Sequence, residues 1–342
     1  MTMLAERTAQ ILRCIVGEYI DTAVPVGSET IVRKYNLPVS PATVRNEMAR
    51  LEDEGYITHP HTSAGRIPSD RGYRYYVEYL MEEEELDGVF KYSLRQRLVD
   101  VRQFSGPFDE WLRLAVAVLA ESVRNAAVAT VPRPPRCELQ HLEIVVLDHG
   151  RALLIVVFSG AWVKQHVLTF TEPMTQEEAS VLAARLSDLF GRLTYPEVVG
   201  RNVALSPAER QVMDAVADIM AAEDEALFDA AYLDGILHVF RQPEFAAMDV
   251  VLELLANLQE ENLPKAIPFK RLAGQDIAMV IGGENEQDAL RRCSIILTGY
   301  GDPGSASGAL AVLGPTRMRY SRIIPTLRFL SEVVGEQMAY LS

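Results

Sequence analysis

Arg45 and Asn46 are adjacent residues whose side chains suggest a specific chemistry. Arginine can form paired hydrogen bonds with guanine and asparagine with adenine, and each good pair gives ~1–3 kcal/mol of discrimination. Both residues lie in segment 40–54, whose pattern predicts a helix. A surface helix with ordinary polar residues would carry the same side chains. The elements around this segment must therefore decide between base recognition and a solvated surface.

Segment 40–54 carries the start and stop signals of a capped helix. Ser40 is a good N-cap, and Pro41 at the first helical position loses only an amide hydrogen that had no partner. Gly55 suits the left-handed position that closes a helix. The stripe predicted to pack inward consists of Val44, Met48 and Leu51. The opposite face carries Ala42, Thr43, Arg45, Asn46 and Arg50.

The flanking segments predict a winged helix-turn-helix, a layout that points to duplex DNA rather than to catalysis. Pro38 must end the preceding helix, because proline disfavours helical geometry in the residue before it. Arg66 at the tip of the wing would reach the minor groove or phosphate. The predicted order is a scaffold helix over 4–21, a helix over 28–35 capped by Ser28, a turn at 36–39, strands at 56–58 and 65–68, and a helix capped by Ser69.

A set of twelve residues is predicted to contact DNA. Small residues such as Ala42 let the helix backbone approach the duplex, where the helix dipole also favours phosphate. Arg71 and Arg74 are available for phosphates and equally plausible as solvated surface. The full set is Ser40, Ala42, Thr43, Arg45, Asn46, Arg50, His61, Thr62, Ser63, Arg66, Arg71 and Arg74.

Four motifs in the first 80 residues resemble the HrcA family of heat-inducible transcription repressors. They are Val26-Gly-Ser, Ser40-Pro-Ala-Thr-Val-Arg-Asn-Glu-Met-Ala-Arg-Leu-Glu, Pro60-His-Thr-Ser-Ala-Gly-Arg-Ile-Pro and Gly72-Tyr-Arg-Tyr-Tyr-Val. Ala23 and Pro41 depart from the family, where glycine and serine are common. Neither change threatens the fold, but Pro41 removes a hydroxyl that could have met phosphate.

The resemblance implies a specific function. It implies a dimeric repressor that binds the CIRCE inverted repeat upstream of chaperone operons, with the chaperonin GroEL keeping the repressor active. Under heat stress, misfolded proteins would compete for the chaperonin and repression would fall. A metabolite-responsive winged-helix regulator, with its ligand in the sheet domain, is the alternative. Stabilisation by a metabolite would favour the second hypothesis.

The charge is unevenly distributed. Residues 1–80 contain 9 Lys+Arg and 10 Asp+Glu, whereas the rest of the chain contains 24 and 37. Within 33–74 there are seven basic and five acidic residues, so the expected DNA face is the positive part. An acidic protein behind that face should bind non-specific DNA weakly and in a salt-sensitive manner.

Composition and motifs argue against an enzyme or a membrane protein. The chain shows neither a signal peptide nor an apolar run of the ~18 residues expected of a membrane span. Cys14, Cys137 and Cys293 lack paired spacing, which favours a reducing cytoplasm over a disulfide or zinc framework. No serine elbow or phosphate-binding loop occurs, and the six histidines are mostly scattered. We therefore expect no cofactor, no metal, and a bacterial cytoplasmic protein that is nucleoid-associated when bound to DNA.

Beyond residue 80 the pattern predicts an α+β protein. Strand signals occur at 142–147, 152–158 and 162–170 and again at 277–283, 294–298 and 308–315, with helices at 89–126, 176–190, 207–222, 243–262 and 320–340. The resemblance implies a GAF-like antiparallel sheet domain split by an inserted dimerisation domain. The predicted domains are 1–80, a linker helix at 81–106, the sheet domain at 107–171 and 269–342, and the insertion at 172–268.

The apolar helix predicted at 243–262 is the candidate dimer contact. An inverted-repeat operator mirrors the two-fold symmetry of its protein, so a repressor of this kind needs such a surface. The alternative is an ordinary core helix. The candidate interface residues are Phe245, Met248, Val251, Leu252 and Leu255.

Overall fold

The computed structural model describes residues 3–60, 65–99, 108–134, 136–148, 150–159, 162–225, 231–259, 262–272, 275–302 and 306–341. The chain divides into two compact units. Unit 1 comprises Met1–Val131, Ala230–Gly301 and Gly308–Ser342, and unit 2 comprises Pro132–Asp229 and Asp302–Ser307.

The described elements are mixed helix and strand. The helices are α1 Glu6–Thr22, α2 Ser28–Tyr35, α3 Pro41–Asp53, α4 Asp70–Tyr75, α5 Gly88–Val99, α6 Phe108–Val123, α7 Gln176–Phe190, α8 Tyr195–Gly200, α9 Pro207–Glu225, α10 Ile236–Phe240, α11 Met248–Asn257, α12 Leu263–Ala266 and α13 Tyr320–Leu341. The strands are β1 Ile57–Thr58, β2 Ile67–Pro68, β3 Ala126–Thr130, β4 Leu139–Asp148, β5 Arg151–Phe158, β6 Trp162–Thr169, β7 Ala231–Asp234, β8 Ile277–Ile281, β9 Cys293–Asp302 and β10 Ala306–Pro315. The α+β class is confirmed.

The first 80 residues form three helices and a two-stranded hairpin, as the local signals predict. Ser40 is the N-cap of α3, with the backbone N–H of Thr43 donating to its hydroxyl at 3.1 Å. Gly55 has a φ of +75°, the left-handed conformation expected after the helix. One local prediction is wrong: Gly27 is the N-cap of α2, and Ser28 is its buried first residue.

Unit 1 has one continuous apolar core that also includes the first 80 residues. Ile15 of α1, Leu51 of α3, Trp111 of α6 and Leu327 of α13 all belong to it. The predicted linker helix α5 also contributes a buried residue, Leu94. Helices α1 to α4 are therefore packed against the five-stranded sheet rather than connected to it by a free linker.

The sheet of unit 1 has the order β7-β3-β10-β9-β8. Its strand β3 lies inside a segment that the sequence predicts as helical. The reason is burial: all five residues of β3 are inaccessible and three are alanine, so the strand shows no alternation. The predicted strand at 232–240 is wrong beyond Asp234, because Gly235 takes a φ of +75° and the chain turns into α10.

Unit 2 is a three-stranded antiparallel sheet, in the order β4-β5-β6, covered on one face by helices. Its core joins Leu142, Ile144 and Leu154 of the strands to Leu186 of α7 and Val212 of α9. The three strands are confirmed, but their predicted place in the same domain as the C-terminal strands differs from the structure. Their alternating pattern creates a buried face, and the helices that follow them in sequence cover it.

Candidate nucleic-acid interface

Helix α3 presents one polar face to solvent. Its inward stripe is buried, with Val44 and Leu51 completely inaccessible. The exposed face begins next to the N-cap and continues along the helix. Its exposed residues are Ala42, Arg45, Asn46, Ala49, Arg50 and Asp53. The structure therefore brings the predicted base-reading residues together on a single outward face.

Arg45 and Asn46 are the two residues on this face with uncommitted polar groups. Neither side chain has a hydrogen bond or ion pair with any other residue in the described ranges. Arg50 differs, because its Nε donates to the Glu54 carboxylate at 2.9 Å, one turn further along. Arg50 is thus partly neutralised, whereas Arg45 and Asn46 keep their full hydrogen-bonding capacity for a ligand.

Helix α3 is held on α1 by a carboxylate, Glu47, that the sequence reasoning missed. Glu47 accepts hydrogen bonds from Thr8 Oγ1 at 2.8 Å and from Arg7 Nη2 at 2.8 Å. The bond from Thr8, followed by those from Arg7, holds the pKa of Glu47 below its usual value. Its position beside Asn46, on the flank turned toward α1, was the available signal. The ion pair fixes the angle at which Asn46 is presented.

The predicted wing is anchored at its base. The backbone of Arg66 pairs with Val26 through bonds of 2.8 and 2.9 Å, which adds a third chain segment beside β2. The Arg66 guanidinium lies 2.7 Å from the carboxylate of Glu52 in α3. Arg66 is therefore tied to α3, rather than standing at the tip of the wing. The predicted contacts His61, Thr62 and Ser63 lie outside the described residues.

Arg71 lies at the carboxyl end of α3. Its Nη1 donates to the Glu54 carbonyl at 2.7 Å, and its guanidinium stacks on the Tyr56 ring at 4.5 Å. A cation at this position satisfies a terminal carbonyl and complements the helix dipole. Arg71 is nevertheless exposed, so it can also meet a phosphate.

Arg74 points away from this face and into unit 1. Its Nε donates to Glu284 Oε1 at 3.0 Å, and its Nη2 donates to the Met279 carbonyl at 2.9 Å. The side chain is 20% exposed. Nearby, the Asp70 carboxylate accepts the Gly283 N–H at 2.7 Å. These bonds attach α4 to the end of β8, so we remove Arg74 from the DNA-contacting set.

The predicted dimer helix is interrupted in the structure. Phe245 lies in a separate short turn before α11 and is only 2% exposed, so we remove it from the interface. Met248, Leu252 and Leu255 of α11 are 69%, 59% and 39% exposed and follow i, i+4, i+7 spacing. Val251 is half-buried. Three exposed apolar side chains therefore form a short stripe on α11.

Unit 2 carries a second and broader apolar surface. The outer face of its sheet exposes Val145, Leu147, Val163 and Val167, at 36%, 52%, 48% and 51%. Leu153 of β5 pairs with Val145 on one side and Val167 on the other, so these three side chains form a row across the sheet. An antiparallel sheet facing water normally carries polar residues on its outer face. We call this surface the outer sheet face.

The thiols of the chain are free and poorly reactive. Burial raises the pKa of Cys293 to about 12 and also raises that of Cys14. The pKa of Cys137 is raised to about 12 by burial and by the neighbouring Asp224 carboxylate. No metal-binding cluster of His, Cys, Asp or Glu occurs among the residues that the structure describes. Within those same ranges, no helix combines the length and apolar character needed to span a membrane.

An exposed, uncommitted Arg–Asn pair on a capped helix is the kind of site found in transcription regulators. The family model for the HrcA protein C-terminal domain matches residues 109–324. The heat-inducible transcription repressor HrcA of Chloroflexus aggregans is 40% identical over 99% of this chain and 94% of its own length. That of Dehalococcoides mccartyi is 38% identical over 99% and 97%. The chain therefore belongs to the HrcA family and is a transcription repressor, not an enzyme.

A solved structure supports the fold independently. The crystal structure of a hypothetical protein superimposes with a TM-score of 0.61 and covers 99% of this chain and 100% of its own, at 21% identity. At that identity the likeness concerns the fold alone.

Proposed function

We propose that this chain represses class I heat-shock operons by binding the CIRCE inverted repeat through a winged helix-turn-helix. The supporting observation is the uncommitted pair Arg45 and Asn46 on the exposed face of α3. Arg45 would read guanine and Asn46 adenine. Ser40, Ala42 and Thr43 would place the amino end of α3 against phosphate, where free N–H groups and the helix dipole favour an anion.

The remaining cations have secondary roles in this proposal. Arg50 can reach DNA after leaving Glu54, since an exposed ion pair contributes only ~0–1 kcal/mol. Arg66 and Arg71 would contact phosphate from the wing and from the carboxyl end of α3. Phosphate contacts position the protein without reading sequence. With a net charge of −14, the chain should depend on specific contacts and lose affinity as salt rises.

We propose that the repressor is a homodimer joined by the outer sheet face of unit 2. This surface has four clearly exposed apolar residues on two strands, whereas the α11 stripe of Met248, Leu252 and Leu255 is narrower. Unit 2 would then be the inserted dimerising domain, and the five-stranded sheet of unit 1 the GAF-like domain. Two copies related by a two-fold axis would match the two half-sites of an inverted repeat.

The family resemblance extends the proposal to the chaperonin GroEL. Exposed apolar surface is what a chaperonin captures, and the α11 stripe remains exposed when the outer sheet face is covered in a dimer. We propose that capture keeps the cytoplasmic repressor folded and that competing misfolded proteins remove this support during heat stress.

Fluorescence anisotropy tests the proposal directly. The full chain is titrated onto a CIRCE-type duplex, onto the same duplex with one half-site scrambled, and onto a fully scrambled duplex, at two salt concentrations. We expect tight binding to the intact repeat only. Equal binding to all three duplexes, with GroEL added to exclude inactive protein, would remove the operator assignment.

A further inference from the structure

A cavity of 310 Å³ in unit 1 is lined by an unusual concentration of arginine. Its lining residues include Arg124, Arg317, Arg319 and Arg322, with Asp21 as a carboxylate in the same wall. The chain as a whole has a net charge of −14. A cationic cavity in an acidic protein is a site where an anionic ligand would concentrate.

Three elements bring these side chains together. Asp21 lies in the last turn of α1, and Arg124 follows the end of α6 with a left-handed φ of +55°. Arg319 immediately precedes α13, and Arg322 lies in its first turn. The amino end of this 22-residue helix faces the same region and adds a favourable dipole for negative charge.

Most of these arginines are held only by exposed carboxylates. Arg319 pairs with Asp21 at 3.1 Å, with exposures of 64% and 51%, and Arg124 pairs with Glu121 at 3.3 Å, with exposures of 68% and 45%. Arg322 lies 3.8 Å from Glu84. Exposed pairs of this kind are weak, so the side chains can turn toward a stronger anion at little cost.

Arg317 has a different role in the cavity. It is only 13% exposed and is fixed by Glu244 and by the Gln242 side-chain oxygen, the latter at 2.6 Å. Its Nη1 also reaches the Ile20 carbonyl at 3.4 Å. Arg317 therefore forms a rigid wall, while Arg124, Arg319 and Arg322 are the adaptable donors.

We propose that this cavity binds a phosphorylated small molecule. Guanidinium groups match the geometry of phosphate oxygens and can bind them in pairs. The several arginines favour a ligand with two or more negative charges, which would outweigh the single opposing carboxylate, Asp21. Binding would replace Asp21 as the partner of Arg319 and so release the last turn of α1 from the start of α13. The site would couple an anionic ligand to the helix that supports α3.

Isothermal titration of the full chain with inorganic pyrophosphate tests this proposal at fixed ionic strength. We expect saturable binding at one site per chain. Arg124→Ala and Arg319→Ala should each weaken it about tenfold, because each removes charge-assisted hydrogen bonds. Both side chains are largely exposed, so neither variant should lose its fold, and circular dichroism checks this.

Arg292→Ala is the matched control. Arg292 is exposed, lies in unit 1 and is outside the cavity lining, so the variant removes the same charge without touching the site. It should bind pyrophosphate like the parent chain. Absence of saturable binding by the parent, or equal weakening by Arg292→Ala and Arg319→Ala, would overturn the proposal.

Discussion

The Thr8 hydroxyl donates a hydrogen bond of 2.8 Å to the carboxylate of Glu47, and this contact joins α1 to α3. Glu47 is adjacent to Asn46, whose side chain points to solvent. The support of the helix and its exposed polar face are thus one residue apart. A change at Glu47 should alter the presentation of Arg45 and Asn46 without removing either side chain.

Arg45→Ala and Asn46→Ala should each reduce specific binding by ~1–3 kcal/mol per lost base contact. The loss should be confined to the intact inverted repeat, so the ratio of specific to scrambled binding falls. Arg50→Ala is the matched comparison, and its effect should be smaller because Glu54 already holds this guanidinium. Anisotropy titrations on both duplexes measure the ratio. An unchanged ratio in both Arg45→Ala and Asn46→Ala would show that α3 does not read bases.

Glu47 should make stability depend on pH in the acid range. Its folded pKa lies below the usual 4.5, so its stabilising effect is complete above the unfolded pKa and is lost as pH falls through the folded pKa. Glu47→Gln should therefore be less stable than the parent at neutral pH, and the difference should shrink below about pH 4. Urea unfolding at several pH values gives this difference. Glu29→Gln, at an exposed position of α2, should show no such trend; a constant difference for Glu47→Gln would contradict the assignment.

Gly72 is required by close packing of α4 on the strand before the wing. A Cβ at this position would lie 2.0 Å from the Tyr56 carbonyl oxygen, so backbone must move to admit it. Gly72→Ala should cost at least ~1–3 kcal/mol in the free energy of unfolding, the usual range for overpacking. Gly88→Ala is the control, because its Cβ would meet nothing within 4 Å. Similar unfolding midpoints for the two variants would rule out the close contact.

Arg74→Ala separates structural from DNA-contacting arginines. The substitution leaves the half-buried Glu284 carboxylate without its cation, and we expect a loss of about 1–3 kcal/mol in stability. The specificity ratio for the operator should not change once the protein is folded. Thermal unfolding and anisotropy on the same sample provide both values. A lowered specificity ratio with unchanged stability would return Arg74 to the DNA face.

Charged substitutions distinguish the two apolar surfaces. Val167→Glu, on the outer sheet face, should give monomers, because a carboxylate would be buried between two copies. Leu252→Glu, on the α11 stripe, should leave the dimer intact. Light scattering across a dilution series measures the mass of each variant. The reverse result would move the dimer contact to α11.

Local chemistry made much of the first 80 residues predictable. The cap at Ser40, the proline at the first position of α3 and the left-handed glycine after it are satisfied within one helix. The alternating strands β4, β5 and β6 were equally predictable, since each pairs with its neighbour in sequence. Strand β3 was not, because a fully buried strand has no alternation and its alanines also suit a helix.

The sequence by itself determined the family, the capped helix α3 and the outward position of Arg45 and Asn46, since caps and helical periodicity depend on residues a few positions apart. Only the tertiary structure decided which arginines are free. Arg74 binds a carboxylate 210 residues away, and Arg66 is held by Glu52 across the fold. The arginines around the cavity come together from α1, α6 and α13 in the same way. Contacts between distant segments depend on packing, which no local pattern encodes.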